Sequence, residues 1–196
     1  IKANTKSVVS LYLIRKYFFA NSSPDYDKAL SLLALLEKEQ GKNPLFGKMK
    51  TWATDTRNSS VGKQLPTFTA YDLNGKMVSS ADLSSAPVAV IYTWASYNYD
   101  SQELQRELKR RQKKANGRLK LMGFCLDASK YECKQNIKRD SITSPTICNG
   151  EMMEDKTLNK LGLKSLPNII LLQNGKIIAR GMKKQELYNK LDELLK

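Results

Sequence analysis

The chain has no histidine and only three cysteines in 196 residues. Without histidine there is no Ser-His or Cys-His pair, so the commonest form of activated-nucleophile catalysis is excluded. Cys125, Cys133 and Cys148 are irregularly spaced, and no familiar zinc-ligand spacing can be assembled from them; no metal and no cofactor are expected. No uninterrupted apolar run approaches the roughly 20 residues of a bilayer span, so no membrane span is expected. A charged-then-apolar signal pattern is missing as well. Because the sequence opens at Ile1, the expectation is a processed or truncated product, with any signal, lipid anchor or further domain upstream. Acidic residues are also scarce, 19 Asp+Glu against 33 Lys+Arg, for a formal charge of +14. Such a charge fits an acidic partner, but the basic residues are spread along the whole chain. Their densest run, Arg106, Lys109, Arg110, Arg111, Lys113, Lys114, Arg118 and Lys120, falls on and just after one expected helix. Cations there complement a helix C-terminus and keep the surface soluble, so no nucleic-acid site is expected.

What is present is ordinary for a folded protein: 41% hydrophobic residues, enough for a packed core. Residues 1–58 read as a helical extension or connector. Val8, Leu11, Leu13, Ile14, Phe18 and Phe19 recur near a period of 3.6 between Ser7 and Ala20. Ser22-Ser23-Pro24-Asp25 supplies an N-cap, a first-turn proline and an early acid. Leu30, Leu33 and Leu36 carry a second helix to Gln40, where Gly41 is a stop. Leu45, Met49 and Trp52 place a third from Pro44 to about Thr56, and Arg57-Asn58-Ser59-Ser60 reads as a linker.

From Val61 onward short strands alternate with helices. Phe68, Tyr71 and Leu73 before Asn74-Gly75, with Met77 and Val78 after it, predict a hairpin. Val88–Trp94 is a continuous apolar run, the pattern of a central strand buried on both faces. A helix follows from Asp100 to about Asn116, with Asp100 and Glu103 spaced as a capping-box variant. Leu119–Leu126 reads as a second buried strand, Ser129 to about Asp140 as a helix and Asp155–Leu161 as a short helix. Asn168–Gln173, Asn174-Gly175 and Lys176–Arg180 form a terminal hairpin, and Gln185–Leu195 a closing amphipathic helix. This order predicts an α/β fold, a three-layer α/β/α sandwich with a mixed sheet over residues 61–196.

Several phrases in this stretch carry a resemblance. They are Val61-Gly62-Lys63-Gln64-Leu65-Pro66-Thr67-Phe68, Asp72-Leu73-Asn74-Gly75-Lys76, Trp94-Ala95-Ser96, Leu166-Pro167 and Gln173-Asn174-Gly175-Lys176-Ile177-Ile178. In this order they resemble the thioredoxin-like superfamily, in its TlpA-type and AhpC/TSA-type branch of the Gram-negative cell envelope. The helical preface is similar to the connector that joins an upstream domain to the thioredoxin-like domain in some of those proteins. The resemblance implies a periplasmic or envelope location, a cis Pro167 and a substrate groove beside it.

The resemblance also implies a redox motif that is missing. Thr93-Trp94-Ala95-Ser96-Tyr97-Asn98-Tyr99-Asp100-Ser101 stands where the family keeps Trp-Cys-x-x-Cys, and Asn98 and Ser101 occupy the two cysteine positions. A thiol at a helix N-terminus becomes nucleophilic because the dipole and free amides lower its pKa; an amide and a hydroxyl cannot replace it. No cysteine between Pro66 and Phe124 could serve as a peroxidatic thiol either. Trp94, Tyr97, Tyr99, Asp100, Leu166 and Pro167 would line the old groove, where aromatic rings could grip a peptide or protein partner. Asp100 and Ser101 are equally ordinary helix-starting residues.

Thiol chemistry, if it persists, falls to the three outlying cysteines. Cys125 lies in an apolar strand, where a free cysteine is a small hydrophobe. Cys133 falls early in a helix beside Lys134, where a thiolate is favoured. Its pairing with Cys148 is the most economical disulfide, closing a loop of about 15 residues for up to roughly 3 kcal/mol, and an envelope location permits it. Three readings follow: a peptide- or protein-binding domain with a degenerate site, a thiol-disulfide oxidoreductase working through Cys133 and Cys148, and a purely structural module.

Overall fold

A computed structural model describes residues 1, 4–7, 9–19, 25–41 and 43–196. Its chain divides into two units, Ile1–Asn58 and Ser59–Lys196.

In the first unit, the period-3.6 stretch forms α1 (Val9–Ile14), which widens into a π-helical turn at Arg15–Phe19. Next come α2 (Tyr26–Gln40) and α3 (Pro44–Asn58). Ile14, Leu33, Leu36 and Phe46 form its buried core. The cap of α2 is Asp25, whose carboxylate accepts the Lys28 N–H at 2.9 Å; Ser22, Ser23 and Pro24, expected to start this helix, lie outside the described residues. Gly41 ends α2 at φ +81°, where only glycine is unstrained. Arg57 and Asn58 belong to α3 and not to a linker, and Arg57 pairs with Asp27 at 2.8 Å. That ion pair ties the last turn of α3 to α2.

The second unit opens with the hairpin β1 (Thr69–Tyr71) and β2 (Met77–Ser79), joined antiparallel. The Asp72 carboxylate accepts the N–H groups of Asn74 and Lys76 at 2.8 and 2.9 Å, and Gly75 takes φ +78° to close the turn. A short helix that sequence patterning missed, α4 (Ser80–Ser84), follows directly. Then come β3 (Val88–Trp94), α5 (Tyr99–Lys114), β4 (Leu119–Cys125), α6 (Lys130–Arg139), β5 (Thr146–Ile147) and α7 (Lys156–Leu161). The strands β6 (Ile169–Gln173) and β7 (Lys176–Arg180) and the helix α8 (Lys184–Leu194) end the chain.

The main sheet has the order β5-β4-β3-β6-β7. β3, β4 and β5 run parallel, while β6 is antiparallel to both β3 and β7. The sheet is therefore mixed, as the alternation of helices and hairpins predicts. Successive residues of a strand face opposite sides, and β3 divides accordingly. Val88, Val90, Tyr92 and Trp94 join a core with Leu104 and Leu108 of α5 and Leu187 and Leu191 of α8. Ala89 and Ile91 join the opposite core, with Leu83 of α4 and Leu158 and Leu161 of α7. Each large aliphatic side chain buried in this way contributes about 1.5–3 kcal/mol relative to exposure. Several cations of the basic run are used locally: Arg106 pairs with Asp140 at 3.2 Å, and Arg111 pairs with Glu107 at 3.1 Å and also with Asp192.

Candidate functional site

The end of β3 carries both walls of the expected groove. Thr93, fully buried, accepts the Asn168 N–H at 2.7 Å and donates its hydroxyl to the Ser165 carbonyl at 2.9 Å. These bonds dock the 165–168 loop onto the strand, and within it the Leu166–Pro167 peptide bond is cis. Leu166 and Pro167 are half-buried. One residue beyond Thr93, Trp94 turns the other way.

Trp94 is completely buried among the residues of the α5 face. It cannot grip a ligand, contrary to its expected place in the groove; strand alternation puts it on the same side as Tyr92 and Val90. Of the aromatics expected in the groove, Tyr97 and Tyr99 are exposed, at 67% and 72%. Arg106 stacks over the Tyr99 ring at 5.7 Å. Asp100 is exposed and engaged by Lys184 of α8 at 3.0 Å.

Helix α5 begins one residue earlier than Asp100, and its cap is Asn98. The Asn98 side chain accepts the Ser101 N–H at 2.8 Å. Neither Asp100 nor Ser101 is the cap. Ser101 is fully buried; its hydroxyl donates to the Asn98 carbonyl at 2.8 Å and accepts the Ala95 N–H at 3.1 Å. The two positions that would carry a dithiol thus satisfy the first turn of the helix. Neither offers a nucleophile.

The sulfur chemistry lies deeper. Cys125 at the end of β4, Cys133 in α6 and Cys148 just after β5 are all unbonded and buried, and their three Sγ atoms lie within 4.8 Å of one another. The structure therefore brings the suspected Cys133–Cys148 pair together as thiols, with Cys125 as a third member and not a bystander. Three sulfurs this close share their protons. Hydrogen bonds from Cys125 and Cys133, helped by the Gly150 N–H and Lys130, hold the Cys148 thiol far below the ordinary thiol range despite its burial. Hydrogen bonding with Cys133 and Cys148, together with burial, drives Cys125 up. Cys133 is favoured as thiolate by Cys125, but Cys148, burial and the nearby Asp127 outweigh that and raise it. The early helix position and adjacent Lys134 do not make Cys133 the anionic member.

Cys148 alone of the three reaches a cavity of about 630 Å³. Residues 69–73 form one wall, and Lys130, Lys134 and Asn149 also line it.

Two residues that sequence reasoning missed hold this arrangement. Asp127, 2% exposed, accepts the Ser96 N–H on Oδ1 at 2.9 Å, while its backbone carbonyl oxygen lies 3.6 Å from the Cys148 sulfur. It joins the loop before α5 to the sulfur cluster, and its Oδ2 has no hydrogen-bond partner among the described residues. The available signal was an acid closing the apolar run of β4. Gly123 pairs with Tyr92 across the sheet; a Cβ there would stand 3.1 Å from the Tyr92 hydroxyl and 3.3 Å from Trp94 Nε1. Glycine makes room for two large rings beside Cys125.

A parallel three-strand core extended by an antiparallel hairpin, helices on both faces and a cis-proline loop beside the N-terminus of α5 define a thioredoxin fold. The chain is a member of the thioredoxin-like superfamily. A thiol-disulfide oxidoreductase from Bacteroides fragilis is 28% identical, with 68% of this chain covering all of that one at a TM-score of 0.60. The thioredoxin domain of a thiol-disulfide oxidoreductase from Bacteroides vulgatus shares the fold at 21% identity, with 70% of this chain covering 99% of that one and a TM-score of 0.58. A thioredoxin-like protein from Bacteroides caccae matches over 93% of this chain and 68% of its own, at 13% identity and a TM-score of 0.66. The sequence matches no protein-family model and no curated protein.

Proposed function

We propose that residues 59–196 hold an extended peptide segment of a protein partner against the Leu166-Pro167 loop, without thiol-disulfide turnover at positions 98 and 101. The observation that carries this reading is the mutual hydrogen bonding of Asn98 and Ser101, which leaves the motif position structurally complete and chemically inert. Tyr97 and Tyr99 remain exposed beside it, and such rings offer large contact area at low entropic cost. In this reading residues 1–58 are a connector, and the protein works in the periplasm or cell envelope, as the fold's oxidoreductase relatives lead one to expect. NMR titration with a library of extended peptides tests it. Shifts should cluster at Tyr97, Tyr99, Leu166 and Pro167, and Tyr97→Ala with Tyr99→Ala should abolish them. Shifts confined to other surfaces, or none with any peptide, would reject the reading.

The nearness of the three sulfurs favours a second reading, a relocated thiol-disulfide oxidoreductase. Cys133 and Cys148 would give two electrons and two protons to a substrate disulfide and become a disulfide themselves. Catalysed reduction of a model disulfide by the wild type, lost in Cys148→Ser, would select it.

A further inference from the structure

The three sulfurs converge from β4, α6 and the segment after β5 onto one buried point. Thiolate is a soft donor that selects monovalent copper, zinc or iron-sulfur clusters over hard cations. An ion bound trigonally at about 2.3 Å from each sulfur needs sulfurs about 4.0 Å apart, so the observed cluster accepts one with sub-ångström adjustment. A disulfide would require one pair to close to about 2.05 Å.

The number of donors distinguishes among the soft ions. The chain has no histidine, and no carboxylate joins the three sulfurs within the same 4.8 Å sphere among the described residues. Structural zinc takes four ligands in a tetrahedron, and an iron-sulfur cluster of the common type takes four thiolates. Three sulfurs joined by no histidine, further cysteine or carboxylate among the described residues match the low coordination number of monovalent copper. We propose that Cys125, Cys133 and Cys148 form a three-coordinate site for monovalent copper, which enters by way of Cys148 from the cavity beside β1.

The surroundings fit this ion. Cys148 lines the cavity, and Cys125 and Cys133, buried and outside its lining, have their sulfurs within 4.8 Å of that of Cys148. Each sulfur that binds as thiolate releases its proton to solvent, and the copper stays Cu(I) throughout, so no electron is exchanged. Lys130 beside the cavity offsets part of the negative charge of the bound site. The site is independent of peptide binding at the Leu166-Pro167 loop, and either can fail without the other.

The test uses the reduced full chain under anaerobic conditions, with acetonitrile-stabilised Cu(I) competed by a chromogenic cuprous chelator. Native mass spectrometry should show a single copper per chain, and X-ray absorption should show sulfur as its only neighbour, three atoms near 2.3 Å. Substituting any one cysteine by serine should weaken the competition beyond the roughly 10- to 100-fold that follows loss of a residue that merely orients a ligand. The wild-type spectrum stands even if a serine variant fails to fold. The proposal is overturned by absence of copper uptake, by oxygen or nitrogen among the copper's neighbours, or by zinc displacing the copper at equal concentration. A Cys133–Cys148 disulfide persisting in the anaerobically isolated protein would overturn it too and favour the oxidoreductase reading. Equal uptake by the triple serine variant would show that the copper binds elsewhere.

Discussion

Asn98 Oδ1 accepts the Ser101 backbone N–H at 2.8 Å, and the Ser101 hydroxyl returns a bond of the same length to the Asn98 carbonyl. The two residues form a closed hydrogen-bonded cap at the start of α5.

Removing that cap should cost stability. Asn98→Ala should destabilise by about 1 kcal/mol, the usual worth of an N-cap side chain. Ser101→Ala leaves the buried Ala95 N–H unpaired and should cost about 1–3 kcal/mol. Urea denaturation with an unchanged m-value would verify both; an Asn98→Ala effect near zero would mean that water replaces the cap.

Reinstating sulfur at the helix terminus should create reactivity that the wild type lacks. In Asn98→Cys the new thiol sits at the N-terminus of α5, where the dipole lowers its pKa. Alkylation near neutral pH, followed by intact mass, should label it before any native cysteine. If it labels no faster than Cys148, the loop shields that position more than its half-buried Asn98 implies.

Among the native thiols, reactivity should follow access to the cavity. Cys148 lines that space, whereas Cys133 is wholly buried. Peptide mapping during slow alkylation of the metal-free, reduced protein should find Cys148 modified first and Cys133 last, the latter only as fast as the second unit opens. Early modification of Cys133 would contradict its position in the core.

Gly123→Ala tests the packing beside the sulfurs. Its Cβ would crowd Tyr92 and Trp94 at 3.1 and 3.3 Å, and both rings are fixed in the core. Overpacking of this kind costs about 1–3 kcal/mol. Thermal unfolding should show the loss, accompanied by a change in near-ultraviolet circular dichroism from the displaced tryptophan.

Acid should remove one specific tie. Burial opposes ionisation of Asp140, but hydrogen bonds and charge from Arg139 and Arg106 outweigh it and hold the carboxyl below its ordinary value. A carboxyl depressed in the folded state stabilises above its unfolded pKa of about 3.9, and that contribution is lost as pH falls through the lower folded value. Asp140→Asn should therefore lower stability at neutral pH by less than about 1 kcal/mol, as befits a partly exposed pair, and have no effect below both values. A pH series of urea midpoints checks the convergence; a constant gap down to pH 2 would place the effect elsewhere.

Much of the fold was legible because it rests on local periodicity. The run Val88–Trp94 reads as a central strand at its observed limits, since a strand buried on both faces needs apolar residues without interruption. Gly41 and Asn74-Gly75 announce their stop and turn through backbone requirements that few residues meet. Helix α4 and the two-residue β5 were hidden, being too short to show a period. Trp94 was misplaced because the strand's alternation starts from a register that only the packed sheet sets. The Cys133–Cys148 pair was anticipated, but the membership of Cys125 was not: the three sulfurs come from three elements, and separation along the chain does not say that a third meets them at one point in the core.

By itself, the sequence determined the α/β architecture and the absence of any cysteine between Pro66 and Phe124, because both follow from residue type along the chain. Hydrophobic period chooses strand or helix, and asparagine or serine cannot become a thiolate. The tertiary structure alone decided that Asn98 and Ser101 complete a helix cap, that Trp94 is core, and that Asp127 joins the site loop to three converging sulfurs. Those outcomes depend on which strand neighbours which and on the face each residue takes. Sheet order and register set such relations through contacts between distant parts of the chain, and the local chemistry of a segment does not contain them.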